Sequence, residues 1–183
     1  TKWNRMSSLK HGFILTIGLL GYTVWAQAQV VDIDQWLSRK AMACDVNNTH
    51  LLQLSTAVTH SDDTFHYRYD ANTQQLLVDK IAYQGVRAAE VLKHGNSSQL
   101  ALAVSQPRFG LQVIKVAVNL TGQPYEGMGY YWVAQGSIKQ NLPALKQLLT
   151  ERELTGGMVS ETAQGNVRVD CTIAKKNADK HTQ

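Results

Sequence analysis

Two cysteines constrain this chain more than any other feature. Cys44 and Cys171 lie far apart in a sequence of 183 residues, and each falls on the apolar side of its local pattern. Ile33, Leu37, Ala41 and Cys44 recur at i, i+4, i+8 and i+11, one face of a helix predicted over 32–44. Val167, Val169, Cys171 and Ile173 alternate with Arg168, Asp170, Thr172 and Ala174, as on a strand that turns one face to a core. Two sulfurs that point inward from the first and last elements predict a disulfide. In the chain-entropy model a bridge closing so long a loop contributes about 4–5 kcal/mol. No C-x-x-C spacing is present, so a redox-active pair is not expected.

A stable disulfide belongs to an oxidising compartment, and the N-terminal region reads as an address for one. Lys2, Arg5 and Lys10 precede an apolar run from Phe13 to Ala26 that contains Gly18 and Gly21. A membrane-spanning helix needs about 20 apolar residues, and this run is shorter. It ends at Ala26-Gln27-Ala28, the small-x-small pattern of a signal-peptidase site. The expectation is a secretory leader over 1–28, removed after Ala28, with no stable membrane span afterwards. Lys10-His11-Gly12-Phe13 faintly resembles the leader of type IV pilin-like proteins. That family carries glutamate where Ile17 stands here, so the cleavage after Ala28 is preferred.

Losing the leader changes the charge. Of 18 basic residues, Lys2, Arg5 and Lys10 lie within it and none of the 14 acids does, so the net charge falls from +4 to +1. A nearly neutral chain without a basic face gives little electrostatic basis for nucleic-acid binding.

The expected elements are hairpins with a few helices. A strand is predicted over 51–58. Thr64–Tyr69 alternates, with Phe65, Tyr67 and Tyr69 opposite His66 and Arg68. The turn-like Asp70–Thr73 then leads into a partner strand over 75–81. A short helix is predicted over 85–94. Leu100–Val104 and Leu111–Val118 form a second hairpin around Pro107–Gly110. Tyr130–Ala134 is a strand, a helix opens at Asn141-Leu142-Pro143, and two strands lie over about 157–162 and 166–174. The fold class is α+β over 29–174: a mainly antiparallel sheet built from hairpins, with an N-terminal helix and one or two further helices packed on it. Residues 175–183 form a polar tail.

Two stretches are candidate sites. His60, Asp62, Asp63 and His66 bring metal-ligating and proton-shuttling side chains into seven residues, although the spacing matches no strong metal signature and turns favour Asp for backbone reasons. Tyr125, Tyr130 and Trp132 form an aromatic segment that would present a surface to a protein or glycan partner. No nucleophile elbow or phosphate-cradling loop is present, and no cofactor is expected. The sequence therefore reads as an exported, periplasmic or secreted, non-enzymatic binding, inhibitor or accessory protein with one disulfide. The alternatives are a small exported hydrolase or metal-dependent enzyme using His60–His66, and a structural subunit of an envelope or pilus-like assembly.

Overall fold

The computed structural model describes residues 28–45, 50–59, 67–94, 97–119 and 129–172. They form an α+β fold of mostly antiparallel strands with five helices. The smaller sheet has the order β1-β4-β3-β2, built from β1 (Gln29–Val31), β2 (Tyr67–Asp70), β3 (Gln75–Val78) and β4 (Ile81–Gln84). Only β1 and β4 run parallel. The larger sheet is antiparallel throughout, with the order β5-β6-β7-β8-β10-β9. Its strands are β5 (Ala88–His94), β6 (Ser97–Arg108), β7 (Leu111–Asn119), β8 (Gly129–Ala134), β9 (Val159–Glu161) and β10 (Val167–Thr172).

The chain passes between the sheets over three residues. Gly85 adopts φ +86°, and a Cβ there would come within 3.0 Å of the Ile33 side chain, so only glycine takes this bend without strain. Val86 N–H still donates to Gln74 O of the smaller sheet, whereas Arg87 N–H donates to Ala103 O of the larger.

One continuous core lies between the sheets. It joins Val31, Leu76, Val78 and Tyr83 to Leu100, Leu102, Val116, Val118, Trp132 and Val169. Helix α3 (His50–Thr59) touches β3, β7 and β8, bridging the two inner faces. Among its described side chains Leu51, Leu54 and Ser55 are buried, a helical spacing. Residues 51–58 are thus helix and not the predicted strand. The short apolar run fits either period alone, and its Leu, Gln and Ala content suits a helix.

Other expectations are corrected in the same way. The helix predicted over 32–44 is two short ones, α1 (Ile33–Trp36) and α2 (Arg39–Met42). Ser38 breaks it, because its side chain accepts from Ala41 N–H and so caps a new helix. The helix predicted over 85–94 is strand β5, paired with β6 along its whole length. Cross-strand pairing there overrides the helix propensity of Ala, Glu, Leu and Lys. Residues 75–81 hold the whole of β3 and only the first residue of β4, with the chain turned between them at Asp79 with φ 54°. Helix α4 (Ile138–Leu148) begins three residues before the expected Asn141, capped by Ser137, whose side chain accepts from Gln140 N–H. Helix α5 (Glu151–Thr155) follows it.

The tip of the β6–β7 hairpin is clamped to the helices. Phe109 (φ 50°) and Gly110 (φ 81°) make the two-residue turn, with both residues left-handed as such hairpins require. The Arg108 and Arg39 guanidiniums lie 4.6 and 5.5 Å from the Phe109 ring centroid. Arg108 donates to Leu37 O and pairs with Asp34 at 3.0 Å, and Arg39 donates to Gln147 O at 2.6 Å.

Candidate functional site

The larger sheet has two unlike faces, and β8 shows both. Every residue of β8 is buried. Tyr130, Trp132 and Ala134 belong to the main core, whereas Tyr131 and Val133 belong to a second apolar cluster with Ala101 and Ala117. Period-two alternation puts the second cluster on the outer face.

On the inner face, three attachments hold the end of α2. Tyr130 Oη donates to Ala41 O at 2.6 Å, and Trp132 Nε1 donates to Met42 O at 3.2 Å. Ala41 O also accepts from Cys44 N–H at 3.1 Å, so Tyr130 adds a second donor to it, while Trp132 serves a carbonyl at the end of a short helix. The third attachment is covalent. Cys44 is bonded to Cys171 of β10 across 127 residues of sequence, and both are buried. Cys171 lies opposite Tyr130 in the register, so the disulfide and the two aromatic donors fasten the same segment. The disulfide expected from the sequence is present.

The geometry reverses the expected aromatic surface. Tyr130 and Trp132 are 3% and 0% exposed, and their polar atoms are engaged with α2. They are core anchors, because a buried indole or phenol needs a hydrogen-bond partner and the α2 carbonyls supply one. Tyr125, His60, Asp62, Asp63 and His66 lie outside the described residues. Among the described residues, no group of three His, Cys, Asp or Glu is placed to hold a metal ion. No described helix is long and apolar enough to cross a membrane.

The outer face carries a different constellation. In register, Glu90, Ala101, Ala117, Tyr131 and Asp170 form one row across β5, β6, β7, β8 and β10. The neighbouring row is Ala88, Ala103, Lys115, Val133, Arg168 and Ser160. Alanine on the two central strands, between Glu90 and Leu92 on one side and Tyr131 and Val133 on the other, makes a shallow apolar trough that is already filled: Leu92 and Ile114 pack against the cluster, and Ala101, Ala117, Tyr131 and Val133 are 2%, 1%, 7% and 5% exposed. Its rim is polar: Glu90 and Ser160 are exposed, and Lys115, Arg168 and Asp170 are half-buried.

Arg168 organises the Tyr131 end of the trough. Its Nη2 and Nε donate to the Asp170 carboxylate at 2.7 and 3.1 Å. Its guanidinium sits 3.8 Å from the Tyr131 ring centroid, a cation–π distance. Burial pushes the Tyr131 phenol pKa up; Arg168 opposes this, while Asp170 and Glu90 add to it.

The sequence placed Arg168 and Asp170 on the outward side of β10, but not beside Tyr131. That neighbourhood depends on the β8–β10 register, for which alternation within one strand carries no signal. Comparison with known proteins gives no match to any family model, to any curated protein or to any solved structure.

Proposed function

We propose that this chain is an exported, non-enzymatic binding or accessory domain, working in the periplasm or outside the cell, that engages a protein partner through the outer face of its larger sheet. One observation carries the binding reading. The outer face is apolar at its centre, where Leu92 and Ile114 pack on the buried alanine floor, and polar at its rim, where Arg168 lies over Tyr131. Protein interfaces have this layout, and aromatic residues and arginine are enriched where they gain most affinity. A glycan partner is less well served: sugars stack on an open aromatic face, and the guanidinium of Arg168 lies over the Tyr131 ring.

The Cys44–Cys171 bond supports the compartment, since structural disulfides persist where thiols are not kept reduced. The leader reading agrees with the fold, because Ala28 immediately precedes β1. Cleavage there would cost the sheet nothing.

The test is capture from the native envelope with mature protein, using two charge reversals on the trough rim, Lys115→Glu and Arg168→Glu. A reversal on exposed Lys146 of α4 is the control. A partner retained by wild type and by Lys146→Glu, and lost by both rim variants, supports this face. Equal capture by all four proteins rules it out.

A further inference from the structure

The fold begins at a residue with chemistry of its own. Strand β1 starts at Gln29, the residue after Ala26-Gln27-Ala28. Gln29 is exposed, it pairs with Ile81 across the parallel β1–β4 ladder, and its backbone N–H donates to Lys80 O at 2.8 Å. If the leader is cut after Ala28, as the proposed function assumes, the first residue of the mature protein is a glutamine whose nitrogen is already a donor in a sheet.

We propose that Gln29 is a modification site, where the new N-terminus closes on its own side chain to give pyroglutamate. The neutral α-amine attacks Cδ of the side-chain amide, an Nα–Cδ bond forms, the Cδ–Nε2 bond breaks, and ammonia leaves with the displaced proton. Nothing is oxidised or reduced and no co-reactant is consumed. An α-amine has an ordinary pKa of about 8, so part of the population is the nucleophilic free base at neutral pH.

The structure is compatible with the product in a specific way. Ring closure puts Cδ where the Gln29 N–H pointed, so the product gives up one bond, the one to Lys80 O, at the exposed end of the strand. The exposed side chain makes no demand on the core. The ring therefore removes a positive charge and the free amine while Val30 and Val31 stay paired with Ala82 and Tyr83. A blocked N-terminus offers no α-amine to an aminopeptidase, an advantage for a protein working outside the cytoplasm.

The experiment exports the full chain from a host with a signal peptidase and measures intact mass and N-terminal sequence. The expected species starts at Gln29, weighs one ammonia less than that sequence, and resists Edman degradation until pyroglutamyl peptidase is added. Gln29→Ala should restore the full mass and an open N-terminus with unchanged thermal stability. A chain that starts at Gln29 and keeps its free amine after prolonged incubation at neutral pH overturns the cyclisation and leaves the leader reading standing. A chain that starts anywhere else overturns the leader reading, and the cyclisation with it.

Discussion

The inner and outer faces of the larger sheet are made by the same strands, yet they are built differently. Inward, β7 and β8 present Val113, Val116, Val118, Tyr130 and Trp132 to one continuous core, with the end of α2 tied down by two hydrogen bonds and a disulfide. Outward, the same strands present Ala117, Tyr131 and Val133 to a small separate cluster, bordered by an ion pair. Large side chains facing helices hold a fold together. Small ones walled by larger neighbours make a thin second layer with charge at its rim, and the proposed partner would rest on that layer.

The inner face should be costly to disturb. Trp132→Ala removes a fully buried indole and should lower stability by about 3–5 kcal/mol. Replacing Cys44 and Cys171 together by serine should cost about 2–5 kcal/mol. Urea unfolding of each variant measures both effects. A loss below about 1 kcal/mol for Trp132→Ala would mean that the inner face is not the main core.

Adjacent residues of β7 give a sharper contrast. Val116→Ala deletes packed methyls on the inner face and should cost about 2 kcal/mol. Ala117→Leu crowds a residue that is already buried on the outer face; it should cost about 1–3 kcal/mol, the usual penalty of overpacking, and weaken partner capture. A change below about 1 kcal/mol for Ala117→Leu would show instead that the outer floor is open.

The two faces were not equally legible in the sequence. Alternation around Cys171 and the 3.6-residue spacing around Cys44 placed both sulfurs inside, and with the export reading that pointed to the Cys44–Cys171 bond, although the single helix assumed over 32–44 is two and Cys44 lies beyond α2 with φ 56°. The hairpin at Phe109-Gly110 and the strand at Tyr130–Ala134 were equally plain, being strongly periodic and bounded by turn residues. Alternation also separated Tyr130 and Trp132 from Tyr131, but it could not say which set faced the helices. That depends on where α2 docks, a contact between residues nearly 90 positions apart. The misread segments share a cause. Residues 51–58 and 85–94 are short and of mixed propensity, so their tertiary partners, α3's bridging position and the β5–β6 ladder, decide their form.

Two tyrosines carry the comparison into pH dependence. Burial, reinforced by Asp79, pushes the Tyr83 phenol up to about 12, while Tyr131 is raised with Arg168 pulling the other way. A phenol whose pKa is raised by folding stays protonated in the native state after the unfolded chain has begun to ionise. Its contribution is complete below about pH 10 and is lost as pH rises through the folded value. Stability should therefore fall between about pH 10 and 12, and Tyr83→Phe should flatten that decline more than Tyr131→Phe. If Tyr131→Phe has the larger effect, the smaller sheet's tyrosine is less enclosed than the trough's.

The smallest expected effect probes the rim of the trough most directly. Asp170→Asn removes a carboxylate that raises the Tyr131 pKa and leaves Arg168, which lowers it, in place. The phenol should therefore titrate at lower pH in the variant. The difference in absorbance titration between variants with Tyr131 and with Tyr131→Phe isolates this one ring among the seven tyrosines. The ion pair is half-exposed, so stability should change by no more than about 1 kcal/mol. An unchanged titration means that Arg168 leaves the ring once Asp170 no longer holds it, so that the two effects cancel. Adding Arg168→Gln distinguishes these cases. If Arg168 stays over the ring without its partner, the double variant titrates at higher pH than Asp170→Asn. If Arg168 has already left, the two variants coincide, and the trough has an aromatic face that Asp170 alone was keeping covered.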